Sequence, residues 1–258
     1  MRRNRPGTKR PNRDRARATA ARNGSAASGI PQPHLKYQPS FRARLALSTA
    51  LATIAFGYGN RGVYAGACVV NGGAGTYLCS GAANPGVDVT NGGLTNPLNP
   101  GTALTVTTDP GFGHNVTTPA SSAFDIIGTG GVSFADNNAS AISGTYRGIS
   151  AVTNTSGATT ITTNGQVAGG TGAGIYANNT GSGTLTVIST GTVTGAGNGA
   201  INAINSAAGT DITVTAVNVT GAAQGIRTVQ SGSGTSTHQC QRHRHRRDGG
   251  GYRDCRRD

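Results

Sequence analysis

Residues 173–205, AGIYANNTGSGTLTVISTGTVTGAGNGAINAIN, contain one full period of a repeat and the beginning of the next. Ile175 and Ile201 mark the same step of that repeat, Ile149 precedes them by one period, and Ile226 follows them by one period. An apolar residue that returns at such an interval, among Gly, Thr and Asn, indicates stacked coils. A single coil of this length buries little of its own apolar side, so each coil must pack on its neighbours along one lengthwise core.

Two further columns of Val and Ile keep nearly the same interval. Because β-branched residues favour strands, these columns predict ordered β-structure in a segment whose high Gly content could otherwise indicate disorder. The predicted repeat core comprises Ile142, Ile149, Ile161, Val167, Ile175, Val187, Val193, Ile201, Val214, Val219 and Ile226.

The period predicts an all-β chain containing a short parallel β-helix, or β-solenoid, of coils of about 26 residues. We place the solenoid at residues 131–237, with short strands joined by Gly and Asn turns. Residues 68–130 are less regular and are interpreted as a β cap or as the first imperfect coils. Since stacked strands lie about 4.8 Å apart, four coils make a rod only about 20 Å long.

The formal net charge of +13 is segregated at the two ends of the chain. Residues 1–61 hold thirteen of the 22 Lys and Arg, and residues 238–258 hold seven. The stretch between them, 62–237, carries Arg147 and Arg227 as its only Lys or Arg, against five Asp. This middle offers no basic stripe to a phosphate backbone, so we expect no nucleic-acid partner for the repeat region.

The N-terminal segment has the three parts of a secretory signal. Residues 1–44 are basic and without periodicity, which predicts a disordered, unusually long n-region. Residues 45–67 contain the apolar run LALSTALATIAF and then small residues, with Ala65 and Ala67 as alternative cleavage positions. The run is too short for a stable membrane span. Since Met1 is the only Met, a start at a downstream non-Met codon is the alternative to an extended signal.

Cys68 and Cys79 follow directly after the cleavage region. In an exported chain they are candidates for a disulfide that closes a small loop, with an entropic contribution of about 3 kcal/mol. A lipoprotein, with Cys68 as the lipidated first residue, is the alternative.

The chemistry of the chain changes at residue 238, where the sequence becomes HQCQRHRHRRDGGGYRDCRRD. Its Cys and His spacing matches no zinc module, so we predict no metal site. Read one base later, His238 becomes Thr or Ile and Cys240 becomes Val or Ala, which restores an apolar residue one repeat after Val214. We therefore interpret residues 238–258 as a basic, disordered tail that is out of frame, a native basic tail being the alternative.

A basic leader, a Cys pair after the cleavage region and the coils quoted above resemble the start of an autotransporter passenger, a type V secretion protein of Gram-negative bacteria. The resemblance covers about residues 45–237. It implies export, a surface β-helix and a C-terminal translocator barrel. No segment here has the pattern of that barrel, so the resemblance also implies a frameshifted, truncated and non-functional fragment, located in the periplasm or secreted rather than at the outer-membrane surface.

The resemblance implies a structural or adhesive role, with the export machinery and an unidentified host-surface or polysaccharide ligand as partners. A β-helical polysaccharide-acting enzyme is an alternative, but Asp125, Asp136 and Asp211 are scattered and His114 has no obvious acid partner in the sequence. An ice-binding-like face of Thr-x-Thr strands is another alternative, disfavoured because Ile188 stands one repeat after Thr162. We predict no catalytic residues and no cofactor.

Overall fold

The computed structural model describes residues 66–243, with side chains described to residue 240. The n-region, the apolar run, Ala65 and the last residues of the tail lie outside the described residues. Within them, the fold class is confirmed: parallel strands stack into a β-solenoid of about six turns with a coil of about 26 residues.

A complete coil contributes strands to three faces of the solenoid. The first face contains β2 (Thr76–Ser80), β3 (Leu104–Thr108), β6 (Val132–Asp136), β9 (Thr159–Thr163), β12 (Leu185–Gly195), β14 (Ile212–Gly221) and β16 (Ser236–His243). The second face contains β4 (His114–Val116), β7 (Ile142–Gly144), β10 (Val167–Gly169) and the C-terminal ends of β12 and β14. The third face contains β5 (Phe124–Gly128), β8 (Ile149–Thr153), β11 (Ile175–Asn179), β13 (Ile201–Asn205) and β15 (Ile226–Gln230). Neighbouring strands within each face pair in parallel.

Along each strand, buried residues alternate with outward ones. The inward residues of stacked strands line up in columns, and these columns form the core. In β9, Ile161 is fully buried, whereas Thr160 and Thr162 point outward and are half-buried. All of the predicted core residues are buried except Ile226, which is half-buried. Ile226 lies on β15, the last strand of the third face in the described residues, and no described strand covers its far side.

A column of glycines closes the corner between the second and third faces. Gly144, Gly169, Gly195 and Gly221 are aligned by strand pairing. A Cβ on Gly195 would lie 2.7 Å from the backbone nitrogen of Gly174 in the preceding corner. Successive corners can therefore stack this closely only where the side chain is absent.

Buried amides support the corner between the third and first faces. Asn179 donates from Nδ2 to the carbonyl of Gly183 (2.7 Å), and its Oδ1 accepts the backbone N–H of Gly181 (2.9 Å). One coil later, Asn205 donates to the carbonyl of Thr210 (3.2 Å). These side chains supply hydrogen bonds to backbone groups of the turns that join the two faces.

The N-terminal end is closed by a hairpin, followed by a complete first coil. β1 (Ala67–Val70) pairs antiparallel with β2, and a single 3-10 turn, η1 (Thr90–Gly93), packs nearby. β3, β4 and β5 then make a coil in register with the next one. Residues 68–130 thus contain both the hairpin and a coil that pairs in register with the coils after residue 131.

At the C-terminal end, β16 continues the first face past the predicted boundary at residue 237 to His243. β16 pairs with β14 so that His238, and not Cys240, lies opposite Val214, while Cys240 lies opposite Ala216. The expected alignment of Cys240 with Val214 is therefore wrong, since shorter turns connect these last strands. Parallel pairing satisfies backbone hydrogen bonds whatever the side chains are, which is why basic and polar residues continue the sheet. The frameshift itself stays a prediction.

Candidate functional site

A shallow groove of about 230 Å³ runs along the solenoid axis on the outer side of the third face. It crosses three successive coils, so residues that are about one repeat apart in the sequence lie side by side in its walls. The groove is lined by Tyr146, Arg147, Thr171, Gly172, Ala173, Tyr176, Gly197, Asn198 and Asn202. Because it crosses three coils, the groove favours an extended ligand that lies parallel to the rod.

The guanidinium of Arg147 is held between two tyrosines. Its central carbon lies 3.8 Å from the ring centre of Tyr176 and 4.6 Å from that of Tyr146. Nη1 donates to the hydroxyl oxygen of Ser150 (3.3 Å), and Nη2 donates to the phenol oxygen of Tyr146 (3.0 Å). Stacking and hydrogen bonds fix the plane of the guanidinium, so less side-chain entropy is lost when it binds a ligand.

A second arginine extends the same face. Strand pairing aligns Ser150, Tyr176, Asn202 and Arg227 in one outward column of successive coils. Arg227 donates from Nη1 to Oδ1 of Asn202 (3.0 Å). Among residues 66–240, whose side chains are described, neither arginine pairs with a carboxylate, and the ion pair found there joins His114 and Asp88. Two arginines on one face thus carry positive charge that no described carboxylate contacts directly.

These contacts suit an anionic ligand bearing hydroxyl groups. A planar guanidinium binds a carboxylate or sulfate through two parallel hydrogen bonds. Asn198 is exposed and offers an amide donor and acceptor of the kind that bind sugar hydroxyls, whereas Asn202 is buried beneath Arg227 and holds its guanidinium in place. The volume is smaller than the roughly 300–1,000 Å³ of drug-sized pockets, so it accommodates one or two units of a chain.

The predicted acid candidates do not converge. Asp136 is buried and its Oδ1 accepts from the hydroxyl of Thr108 (2.7 Å). Asp211 is exposed, and the backbone N–H and then the hydroxyl of Thr235 lower the pKa of its carboxyl. Asp125 lies in the outward column of the third face, beside Ser150. Among the described residues no three His, Cys, Asp or Glu lie close enough to hold a metal ion.

The expectation that His114 lacks an acid partner is wrong, because the fold brings Asp88 to it from a distant part of the chain. Nδ1 of His114 lies 3.8 Å from Oδ2 of Asp88, and both side chains are fully buried. Burial lowers the pKa of His114, opposed by the Asp88 charge and by backbone groups of Val89 and Gly66. A pair sealed from solvent in this way offers no surface to a polymeric substrate.

The two cysteines and the cleavage candidates lie at the N-terminal edge of the fold. Cys68 and Cys79 are joined by a disulfide between directly opposed residues of β1 and β2, with Cα atoms 3.9 Å apart. Ala67 is the first residue of β1 and is half-buried. Ala65 lies outside the described residues.

The threonines of the first face form one continuous column and one interrupted column. Thr105, Ser133, Thr160, Thr186 and Thr213 are aligned by pairing in one hydroxyl-bearing column. The neighbouring column is interrupted, since Ile188 lies beside Thr162 and Ala135 lies on its other side. A regular two-column Thr array is therefore absent from this face of the described residues.

Reasoning from the sequence missed the groove, although a signal was present. Asn202 follows Tyr176 by one repeat, and Arg227 follows Asn202 by one repeat, at the intervals of the core column. Applying the repeat to polar residues as well as apolar ones would have placed these three side by side. The contact of Arg147 with Tyr176 depends on the corner geometry and has no such signal.

Comparison with protein-family models, with curated proteins and with solved structures finds no significant match. The fold itself defines the class: the described residues form a β-solenoid with an arginine- and tyrosine-lined groove on one face. Within residues 66–243 no helix is long and apolar enough to cross a bilayer.

Proposed function

We propose that this chain is an exported, surface-type β-helical passenger with an adhesive role, and that the groove on its third face binds an acidic polysaccharide. The observation that carries the proposal is the stacked Arg147 guanidinium, which has no carboxylate partner among the described side chains and lies beside Tyr176 and Asn198. The leader predicted at residues 45–67 and the Cys68–Cys79 disulfide support export, since disulfides persist in oxidising compartments.

The chemistry favours binding without turnover. Glycoside hydrolysis needs two carboxyl groups facing one another across the bond to be cleaved. The groove lining contains no Asp or Glu. The role we propose is therefore attachment, with no cofactor and no catalytic residue.

The test is binding of the exported protein to immobilised polygalacturonate, with neutral dextran as the reference polymer. We expect binding to the acidic polymer only, weakened by salt because the attraction is partly electrostatic. Arg147→Gln should raise Kd by about tenfold or more, as loss of a charge-assisted hydrogen bond of about 1.5–3 kcal/mol implies.

Arg147→Lys separates stacking geometry from charge. It keeps the positive charge but loses the planar fork, so we expect most of the affinity to be lost with it. Thr213→Ala, on the first face and away from the groove, is the matched control and should bind as the unaltered protein does. Equal binding of dextran, or unchanged binding by Arg147→Gln, would refute the groove as the ligand site, and release of short oligosaccharides would show an enzyme.

A further inference from the structure

The buried Asp88 carboxylate is only half satisfied. Its Oδ2 accepts backbone N–H groups from Asn84 (2.9 Å) and Asn115 (2.8 Å). Its Oδ1 has no hydrogen-bond partner, although the side chain is fully buried. A buried carboxylate oxygen without a donor costs free energy, so the fold at this point lacks a hydrogen-bond donor or a positive charge.

His114 does not supply that donor. Its Nε2 lies 2.9 Å from the carbonyl oxygen of Val89, which as an acceptor requires the proton on Nε2. Its Nδ1, on the side of Asp88, also has no partner. Burial lowers the pKa of the ring, which disfavours a second proton on Nδ1. Two unsatisfied polar atoms thus share one buried space.

Gly66 occupies that space. It is buried, and a Cβ at this position would overlap Nδ1 of His114 and lie 2.9 Å from Oδ1 of Asp88. Its φ of +52° is in the left-handed region that favours glycine. The backbone of Gly66 therefore lies beside both unsatisfied atoms, with no side chain of its own in the way.

We propose that the leader is cleaved after Ala65, and that the new α-ammonium group of Gly66 binds Asp88 Oδ1 and His114 Nδ1. This inference rests on the proposed export. Hydrolysis of the Ala65–Gly66 peptide bond by water leaves a carboxylate on Ala65 and a protonated amine on Gly66. That amine is bonded to the same Cα whose neighbourhood holds both atoms, and it supplies three N–H donors and one positive charge.

Cleavage after Ala67, the alternative predicted from the sequence, would remove these groups. Ala67 pairs with Ser80 at the start of the β1–β2 hairpin, and Gly66 would be lost with it. The buried carboxylate would then face an empty space. The product that begins at Gly66 is the one that completes the fold.

The first experiment identifies the N-terminus of the exported protein by intact mass and N-terminal sequencing, after expression of the full gene in a Gram-negative host. We expect a chain that begins at Gly66. A chain that begins at Cys68 would overturn this inference and leave export intact. A chain that stays in the cytoplasm with its leader attached would overturn export and this inference together.

The second experiment uses the absence of lysine after Lys36. In a chain that begins at Gly66, the α-amine is the only primary amine, so an amine-reactive ester labels that position alone. We expect labelling at pH 8 to be about fivefold slower in the folded protein than in the same protein in urea, as a pKa raised by about one unit would give. Equal rates in the two states would overturn the proposal without any variant being needed.

Asp88→Asn tests whether the carboxylate, rather than burial alone, protects the amine. It should accelerate labelling of the folded protein toward the rate in urea. Asp125→Asn, which removes a half-buried carboxylate from the third face, should leave the labelling rate unchanged. Slow labelling that persists in a folded Asp88→Asn protein would show that the ammonium group does not pair with Asp88.

Discussion

The apolar core is covered at the N-terminal end of the described solenoid and uncovered at its C-terminal end. At the N-terminal end, the hairpin of β1 and β2 is fastened by a disulfide, and Phe112, Phe124 and Phe134 fill the first coils. At the C-terminal end, the column that contains Val187 and Val214 continues to His238, which is exposed. A stacked-coil fold therefore has two separate requirements, which are pairing of the backbone and covering of the apolar core. The strands at both ends are paired, but only the N-terminal core is covered in the described residues.

The largest loss of stability is expected from truncating one of the phenylalanines of the N-terminal core. Phe134 is fully buried, and its ring contacts that of Phe124 edge-on at 4.9 Å between centroids. Phe134→Ala should lower the free energy of unfolding by about 3–5 kcal/mol, through lost burial and the cavity that remains. Urea unfolding followed by circular dichroism measures the change. A loss below about 1 kcal/mol, far under the usual cost of such a truncation, would mean that this end is not the stable end.

The second-largest loss of stability is expected from removing the disulfide between Cys68 and Cys79. Replacing both cysteines by Ser should cost about 3 kcal/mol, because the loop of the unfolded chain is no longer constrained. Hydrogen exchange should become faster in β1, β2 and β3 and stay unchanged in β14 and β16. Faster exchange along the whole rod would show instead that the coils unfold as one unit.

Ile201 and Ile226 allow a matched comparison within one column. They lie opposite each other on β13 and β15, but Ile201 is fully buried and Ile226 is half-buried. Ile201→Ala should cost about 2–5 kcal/mol and Ile226→Ala clearly less than half of that value, since less apolar surface is removed from water there. Equal losses in urea unfolding would indicate that a further element covers β15.

The smallest effect is a gain at the uncovered end. His238→Ile places an apolar residue on the column of Val214, so we expect stabilisation by about 1 kcal/mol or less. Gln239→Ile, at the adjacent outward position, is the control and should not stabilise. A shift in melting temperature reports both, and a destabilised His238→Ile protein would mean that β16 does not extend the core.

The fold class and the inward columns could be predicted from the amino-acid sequence. Burial at the centre of a stacked coil selects an apolar residue at a fixed interval, so Ile175 and Ile201 indicate the period directly. The sequence also located the charges of the chain and separated the basic ends from the repeats between them. These properties depend on composition and spacing, which are visible without coordinates.

The contacts between surface residues could be established only from the folded chain. Arg147 contacts Tyr176 because a glycine corner turns the chain back over the next coil, and outward positions carry no apolar selection that would mark them. Asp88 reaches His114 through an irregular segment before the first regular coil, where no period exists to align them. The last repeat is shorter than the others because its turns are shorter, and His238 rather than Cys240 therefore lies on the column of Val214. Contacts of this kind depend on how loops close, and loop closure is only weakly encoded by local sequence.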